Sequence, residues 1–222
     1  MNSPRESQIS SAQRVYDSPV AVTRGRPVAI RLAVKRATDM FFAGFALILL
    51  SPLLAVIAAI VRLDTHGDVL DRSTRVGLKG RHFIFYKFRT MVGEAKTKEQ
   101  DLQYSPFFNV AAAPRLTRSG KWLRRFSLDE LPQLWSVFLG DMSLVGPRPP
   151  DTDEIRYYRP QDMRTLDMPP GVTGLWQIKA RLNPSFDLKM ALDLEYINNW
   201  NLGLDCKILL KTIQVVFKGN GQ

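Results

Sequence analysis

The feature that most restricts what this chain can fold into is an uncharged stretch running from Met40 through Val61, with FFAGFALILLSPLLAVIAAI between them. A helix needs roughly 20 such residues to cross the hydrocarbon core of a bilayer, so the stretch reads as a membrane segment. Its long polar lead-in and excess length argue against a cleaved signal peptide. Ser51 and Pro52 fall at its middle, where proline removes a backbone donor, clashes with the preceding turn and kinks a helix. The flanks carry a second message. Arg24, Arg26, Arg31, Lys35 and Arg36 precede the stretch, while Arg62, Arg72, Arg75, Lys79 and Arg81 follow it, so the positive-inside preference draws both ends to the cytoplasm. A helix broken at Ser51 and Pro52 that dips in and returns satisfies both flanks. A straight crossing with a tolerated proline is the rival, and the residues alone leave the two open.

With 222 residues the chain is long enough for one catalytic domain with a sizeable core. Its formal charge of +10 points to anionic partners: nucleic acid, the negative leaflet of a membrane, or a phosphorylated substrate. Cys206 is the single cysteine, so no internal disulfide can form. His66 and His82 are the only histidines and lack zinc-type spacing, which leaves acid, base or nucleophilic work mainly to carboxylates.

The expected architecture is α+β and mainly helical. Residues 1–30 read as a disordered basic tail, 31–62 as the membrane helix, and 63–222 as the remaining domain. RVGLKGRHFIFYKFRTM has a Gly-rich turn and apolar Phe83, Phe85 and Phe88, which predicts a short strand or hairpin. A polar loop follows. Ser127–Leu139, Ile155–Leu166 and Leu188–Asn199 read as helices, with Gly140–Pro150 a Gly/Pro-rich loop. Near the C-terminus, Leu204, Ile208, Leu209, Ile213, Val216 and Phe217 form an apolar stripe beside Lys207, Lys211 and Lys218. That pattern fits an interfacial helix or a core helix with a solvated basic face.

The strongest chemical candidate is RRFSLDELPQLW, which places Asp129 and Glu130 at a helix start behind Arg124 and Arg125. A helix start stabilises carboxylates and accepts phosphates. Ser127 and Glu130 also have the spacing of a capping box, a purely structural device. Capping explains Glu130 but neither Asp129 nor the arginine pair, and both readings stay open. In the functional reading, ionised Asp129 attacks phosphorus to form an acyl phosphate. Glu130 holds a magnesium ion, and Arg124 clamps phosphate oxygens. GDMSLVGPRPP sets Arg148 between rigid prolines, a preorganised guanidinium or a plain turn with a surface arginine. PPGVTGLWQIKAR offers a permissive backbone before Trp176 and Arg181, shaping a nucleotide or phosphate pocket or simply burying a tryptophan.

Several ordered motifs recur at compatible spacing: KRATDMFF into an apolar helix with Ser51-Pro52, then YKFRTM, PRLTRSGKWLRRFSLDELPQLW, GDMSLVGPRP, PGVTGLWQ and LDLEYINNW. Together they resemble the bacterial sugar transferase family, the monotopic polyprenol-phosphate phosphoglycosyl transferases, over roughly residues 31–218. The resemblance implies a monotopic membrane protein with a re-entrant helix-break-helix at Ser51 and Pro52, amphipathic interfacial helices and a small β-hairpin or sheet. It places the catalytic domain on the cytoplasmic face of a bacterial inner membrane. It implies a Mg2+-dependent reaction in which Asp129 takes the sugar phosphate from a UDP-sugar, releasing UMP, and undecaprenyl phosphate then collects it. Such a step primes an exopolysaccharide, capsule or similar glycan, with downstream glycosyltransferases as further partners. Asp129 and Glu130 look like the family dyad, with Glu130 its magnesium ligand. Lys87, Arg124, Arg148 and Arg181 fall where similar proteins place cations around phosphates, nucleotide or carrier.

The chain departs from the pattern in three places. GDVLDRS stands where a GPVFFRQ-like run is frequent, AAAPR replaces DDPR, and WQIKAR replaces a WQVSGR-like ending. These changes leave the dyad intact and weaken any inference about the sugar. A non-catalytic basic membrane scaffold for glycan enzymes is the rival from another class. Nucleic acid is not expected, because the cations are spread among apolar motifs instead of forming one basic helix.

Overall fold

The structure, a computed structural model, describes residues 26–92, 116–183 and 185–217. Residues 1–25 of the expected tail, the polar loop after the hairpin and the AAAPR stretch lie outside the described residues. The described chain is mainly helical, with two small two-stranded sheets.

Helix α1 runs from Arg26 to Asp64, 39 residues. It takes in residues 26–30, which the sequence assigns to the tail. Helical structure is unbroken through Pro52, so the expected helix-break-helix is corrected to one continuous helix carrying a proline. The reason is local. Pro52 has no N–H for the carbonyl of Ile48 four residues back, and the Ser51 hydroxyl donates to that carbonyl at 2.8 Å instead. The Ser-Pro pair thus mends the bond that proline removes, as side-chain hydroxyls do in apolar helices.

One stripe of α1 packs on the rest of the protein along nearly its whole length. Lys35, Asp39, Ala43, Ile57 and Val61 are buried, and Ala46, Leu47, Leu50, Leu54 and Ala58 pack between them against neighbouring elements. The spacing of three and four residues is that of one helical face. The opposite face leaves Phe41, Phe45, Ile48, Leu49, Leu53, Val56 and Leu63 exposed. Both ends are bonded to the globular part. Near the N-terminus the Lys35 ammonium donates to Asp205 at 2.7 Å within a buried group that also includes Asp39. Arg36 donates to the carbonyls of Val137 and Phe138, the latter at 2.9 Å. At the other end Asp64 accepts from the Ser119 amide at 2.9 Å and its hydroxyl at 2.7 Å. About 43 Å of helix separates Lys35 from Asp64.

The expected hairpin is present. Strand β1 (Leu70–Val76) pairs antiparallel with β2 (His82–Phe88) across a 3-10 turn at Leu78–Gly80. Directly opposed residues share a face, so Asp71, Ser73 and Arg75 lie alongside Lys87, Phe85 and Phe83. Phe83 and Phe85 pack with Ala43, Leu134 and Val137, whereas Phe88, on the other face, packs with Ile57, Val61 and Leu123.

After α2 (Arg118–Arg125) comes a 3-10 turn at Leu128–Glu130 and then α3 (Gln133–Leu139). The single helix expected over Ser127–Leu139 is therefore two pieces. Strand β3 (Ser143–Val145) lies inside the Gly140–Pro150 segment and pairs in parallel with β4 (Gly171–Thr173). The helix expected over Ile155–Leu166 is replaced by 3-10 turns at Glu154–Tyr157 and Asp162–Asp167. Pro160, with no N–H and a clash against the preceding residue, separates them. Short α4 (Leu175–Lys179) leads to α5 (Phe186–Asn198), close to the expected bounds and capped by Ser185, whose hydroxyl accepts from the Leu188 amide. The last helix, α6, spans Leu202–Phe217 and is two-faced. Its Ile208 is buried with Tyr196 and Trp176, while Leu210 and Ile213 are exposed beside exposed Lys207 and Lys211.

The β3–β4 contact holds two loops together through bare backbone. A Cβ added at Gly171 would sit 2.0 Å from the Gly146 nitrogen, and one at Gly174 2.3 Å from the Gly146 carbonyl oxygen. No side chain fits there. Gly171→Ala should lower stability by about 2–3 kcal/mol through forced backbone separation, readable as a fall of several degrees in the melting temperature of the detergent-purified protein; an unchanged melt would refute the close approach.

Candidate active site

Asp129 lies in the 3-10 turn between α2 and α3, not in the first turn of an α-helix. Ser127, just before it, has a left-handed backbone with φ of 55° and makes no side-chain cap. The capping-box reading is thereby corrected. The Ser127 hydroxyl instead accepts from Arg181 Nη1 at 2.7 Å, and Arg181 Nη2 reaches Glu130 Oε1 at 3.4 Å. The residues that looked like a helix cap are engaged by a cation from the far side of the sequence.

The Asp129 carboxylate is 6% exposed and its Oδ1 has no hydrogen-bond partner. Burial pushes its pKa above the ordinary aspartate range, and the neighbouring charge of Glu130 adds to the rise. Arg124, Lys87 and Arg181 pull it back down. Arg148 joins them, with Nη1 3.8 Å from Glu130 Oε1. All four cations singled out in the sequence thus converge on the two carboxylates. Two of them hold other partners: Lys87 lies 3.5 Å from Asp71, and Arg124 Nε donates to Thr90 Oγ1 at 3.0 Å. A site with four cations, two carboxylates and one unpartnered carboxylate oxygen has more positive charge than it neutralises, which suits a multiply charged phosphate ligand.

Several residues not singled out in the sequence hold Arg148 in place. Arg75 from β1 pairs with Asp151 at 2.8 Å, reaches the Pro149 carbonyl at 3.4 Å and lies over the Phe85 ring at 5.2 Å. Beneath the loop, Asp193 of α5 is fully buried and accepts a hydrogen bond from the Arg148 backbone. Lys189 pairs with Glu154 beside it, and the Tyr158 hydroxyl lies 3.4 Å from the same Glu154. Lys189 and Asp193 are four apart on the otherwise apolar buried face of α5, among Met190, Leu192 and Tyr196, and that spacing was the available signal. The departure at GDVLDRS is also informative, since its Asp71 is the residue facing Lys87. Trp176 takes its bland fate and is buried in the core. Ser51 and Pro52 sit on the exposed side of α1, apart from this site.

A cleft of about 170 Å³ opens beside the dyad. Ser127, Glu130 and Arg181 stand on it, and Leu131, Leu134, Val172, Ile178, Val215 and Val216 supply apolar wall.

Compared with known proteins, residues 30–219 match the family model for bacterial sugar transferases. The chain belongs to the bacterial sugar transferase family. It is 37% identical to the exopolysaccharide production protein ExoY of Rhizobium meliloti over 224 residues, covering 96% of this chain and 99% of that relative. It is 41% identical over 196 residues to the galactosyl transferase CpsE of Streptococcus agalactiae, covering 86% of this chain but 43% of that relative. It is 38% identical over 197 residues to the undecaprenyl-phosphate galactose phosphotransferase of Salmonella typhimurium, covering 85% of this chain and 41% of that protein. The family's larger members therefore extend well beyond the matched region, whereas ExoY is matched almost end to end.

Burial raises Asp193 from 3.8 to about 7, against the lowering effect of Lys189. A carboxyl with a raised folded value binds its proton more tightly in the folded chain, so it favours folding at low pH and loses that margin as pH climbs to about 7. Asp193→Asn stays neutral and can still accept from Arg148. Plotted as a difference from wild type, its melting temperature should gain on wild type between about pH 4 and pH 7; parallel curves would show that Asp193 is not the titrating group.

Proposed function

We propose that this member transfers a sugar 1-phosphate from a UDP-sugar to undecaprenyl phosphate through a covalent intermediate on Asp129. The observation that carries the reading is the buried Asp129 carboxylate with one free oxygen, set among Lys87, Arg124 and Arg181. In the first half-reaction an ionised Asp129 oxygen attacks the sugar-linked phosphorus. The bond from that phosphorus to the bridging oxygen breaks, and UMP leaves with the oxygen and its electron pair. In the second, a phosphate oxygen of the lipid carrier attacks the same phosphorus and the acyl-phosphate bond breaks. The carboxylate is regenerated and a lipid diphosphate sugar is formed. Dividing the transfer this way replaces one difficult step with two easier ones.

The cations supply the electrostatics. Their charges pull Asp129 back toward its ionised form against burial and oppose the negative charge gathering on the transferring group. Arg148, held by Arg75 and the Asp193 group, offers a planar donor set suited to phosphate oxygens. Glu130, with Asp129 beside it, would hold a magnesium ion. The fit is reasonable, because magnesium takes one or two carboxylates together with substrate phosphates. Among the described residues no group of three or more His, Cys, Asp or Glu is gathered around a metal position, so phosphate oxygens would complete the coordination. Bound there, the ion would supply charge neutralisation for the diphosphate.

The lipid acceptor requires a membrane, and the surface supports one. α1 is long and apolar enough to cross a bilayer. With both ends bonded to one globular part, the reading favoured is monotopic, with the outer face of α1 in the lipid of the cytoplasmic leaflet and both ends on the same side. α2 contributes exposed Trp122 with Arg125 over its ring at 5.8 Å, α3 exposed Trp135, Phe138 and Leu139, and α6 exposed Leu210 and Ile213. Aromatic and basic side chains of this kind settle at headgroup depth.

In the absence of lipid acceptor, the purified protein should release about one equivalent of UMP per chain from a UDP-sugar, as a covalent route requires. Asp129→Asn should lower turnover at least about a thousandfold while the protein still melts cooperatively. Undiminished turnover in that variant would end the proposal, and a folded wild type that never releases UMP would favour a scaffold. For topology, single cysteines at positions 31 and 79 in a Cys206→Ser background should both resist an impermeant label applied from outside the cell; labelling of one alone would mean a crossing.

A further inference from the structure

Two residues at the head of α1 reach past their own helix to the elements on either side of the active site. Arg36 donates to carbonyls in the last turn of α3, through Nη1 to Val137 and through Nη2 to Phe138 at 2.9 Å. Carbonyls at a helix end lack intrahelical donors, and a cation set over them also meets the negative end of the helix dipole. Asp39, one turn on and 6% exposed, accepts from the Ser143 hydroxyl at 2.7 Å and from the Leu144 amide at 3.1 Å. Each of those bonds uses a different carboxylate oxygen, so the first two residues of β3 are both held. Only the short link 140–142 lies between the two grips. Its three amides all donate to the Ser136 carbonyl, and Gly140 turns with φ of 107°, where a Cβ would sit 3.0 Å from Arg36 Nη2.

Attachment of α1 does not depend on these bonds. Lys35 pairs with Asp205, Asp64 accepts from Ser119, and the inner stripe of the helix packs into two core clusters. What Arg36 and Asp39 add is a hold on both sides of one link. α3 follows the turn that carries Asp129 and Glu130, and β3 leads into the loop that carries Arg148. Little slack enters between Leu144 and Arg148. The Val145 carbonyl accepts from the Tyr196 hydroxyl at 3.1 Å, the Gly146 amide donates to Thr173 at 2.9 Å, and the Pro147 carbonyl accepts from the Gly171 amide at 2.8 Å. Arg75 and Asp193 tie that loop to β1 and α5, whereas α1 ties it to the helix of the dyad. The separation governed by this bracket shows at its far end, where Arg148 Nη1 stands 3.8 Å from Glu130 Oε1. We infer that Arg36 and Asp39 are positioning residues for the reaction, setting where the Arg148 guanidinium stands relative to Asp129 and Glu130. A displacement of about 1 Å in such a group is enough to cost about a hundredfold in rate. This rests on the proposed phosphoryl transfer at Asp129. It gives the KRATDMFF motif a task at the active site, exerted through Arg148.

The test is a double-mutant cycle on the full chain in detergent, read as affinity for UMP. Asp39→Ala should weaken UMP binding about tenfold, the value of one charge-assisted contact to phosphate. In an Arg148→Ala background the same change should cost less than about twofold, because the guanidinium that it positions is gone. A merely structural role predicts equal falls in both backgrounds. Arg36→Met, at a half-buried position, keeps an apolar stem and removes both carbonyl bonds. It should show the same pattern, and it decides alone should Asp39→Ala fail to fold. Equal falls in the two backgrounds would overturn the inference, as would wild-type affinity in either folded variant or in Arg148→Ala. Failure of the proposed reaction shows separately, as a wild type that binds UMP but never releases it from a UDP-sugar. A wild type with no measurable affinity for UMP would overturn both.

Discussion

The constraint from which the rest follows is that α1 is too apolar to face water and yet bonded to one globular body at both ends. Lys35 with Asp205 and Asp64 with Ser119 fix those ends by hydrogen bonds that include a buried ion pair. Removing one partner of such a pair strands a charge and typically costs about 3–5 kcal/mol. Between them the inner stripe of the helix forms part of two core clusters, one with Phe83 and Phe85 and one with Phe88 and Leu123. The hairpin that carries Lys87 and the turn that carries Asp129 are therefore built against the same helix whose other face is apolar and exposed. An enzyme that joins a water-soluble donor to a membrane-bound acceptor needs these two environments close together.

The site is organised by a balance of opposed electrostatic effects. Burial and Glu130 favour the protonated form of Asp129, while three cations favour the charged form. A carboxylate that is partly stripped of water but kept near its charged state by neighbours is a better nucleophile than a solvated one. The same cations are shared with other partners, Lys87 with Asp71 and Arg124 with Thr90. In the proposed reaction they stand in position before a phosphate arrives and need only exchange these partners for it.

Much of this was legible in the sequence, for reasons that differ by element. The apolar stretch declared α1 through length alone, and alternating phenylalanines after a glycine turn declared the hairpin. The dyad and Arg124 stood out at a helix start, Arg148 between prolines and Arg181 after two glycines, while Lys87 was named only through the family resemblance. What failed was local geometry. Ser127 and Glu130 have cap spacing, but Arg181, more than fifty positions away, occupies the serine. Ser51 and Pro52 looked like a break because the repair by the Ser51 hydroxyl depends on a rotamer. Arg75 and Asp193 were passed over at the site since their importance lies in long-range partners, which local spacing does not record.

The union of the two loops at Gly146, Gly171 and Gly174 rests on main-chain atoms meeting main-chain atoms. Such a joint is indifferent to the identity of the flanking side chains, provided the three positions stay bare. Side chains on either side of the joint can therefore change in size or charge while the loop that carries Arg148 keeps its place, because what fixes that loop is the absence of three Cβ atoms.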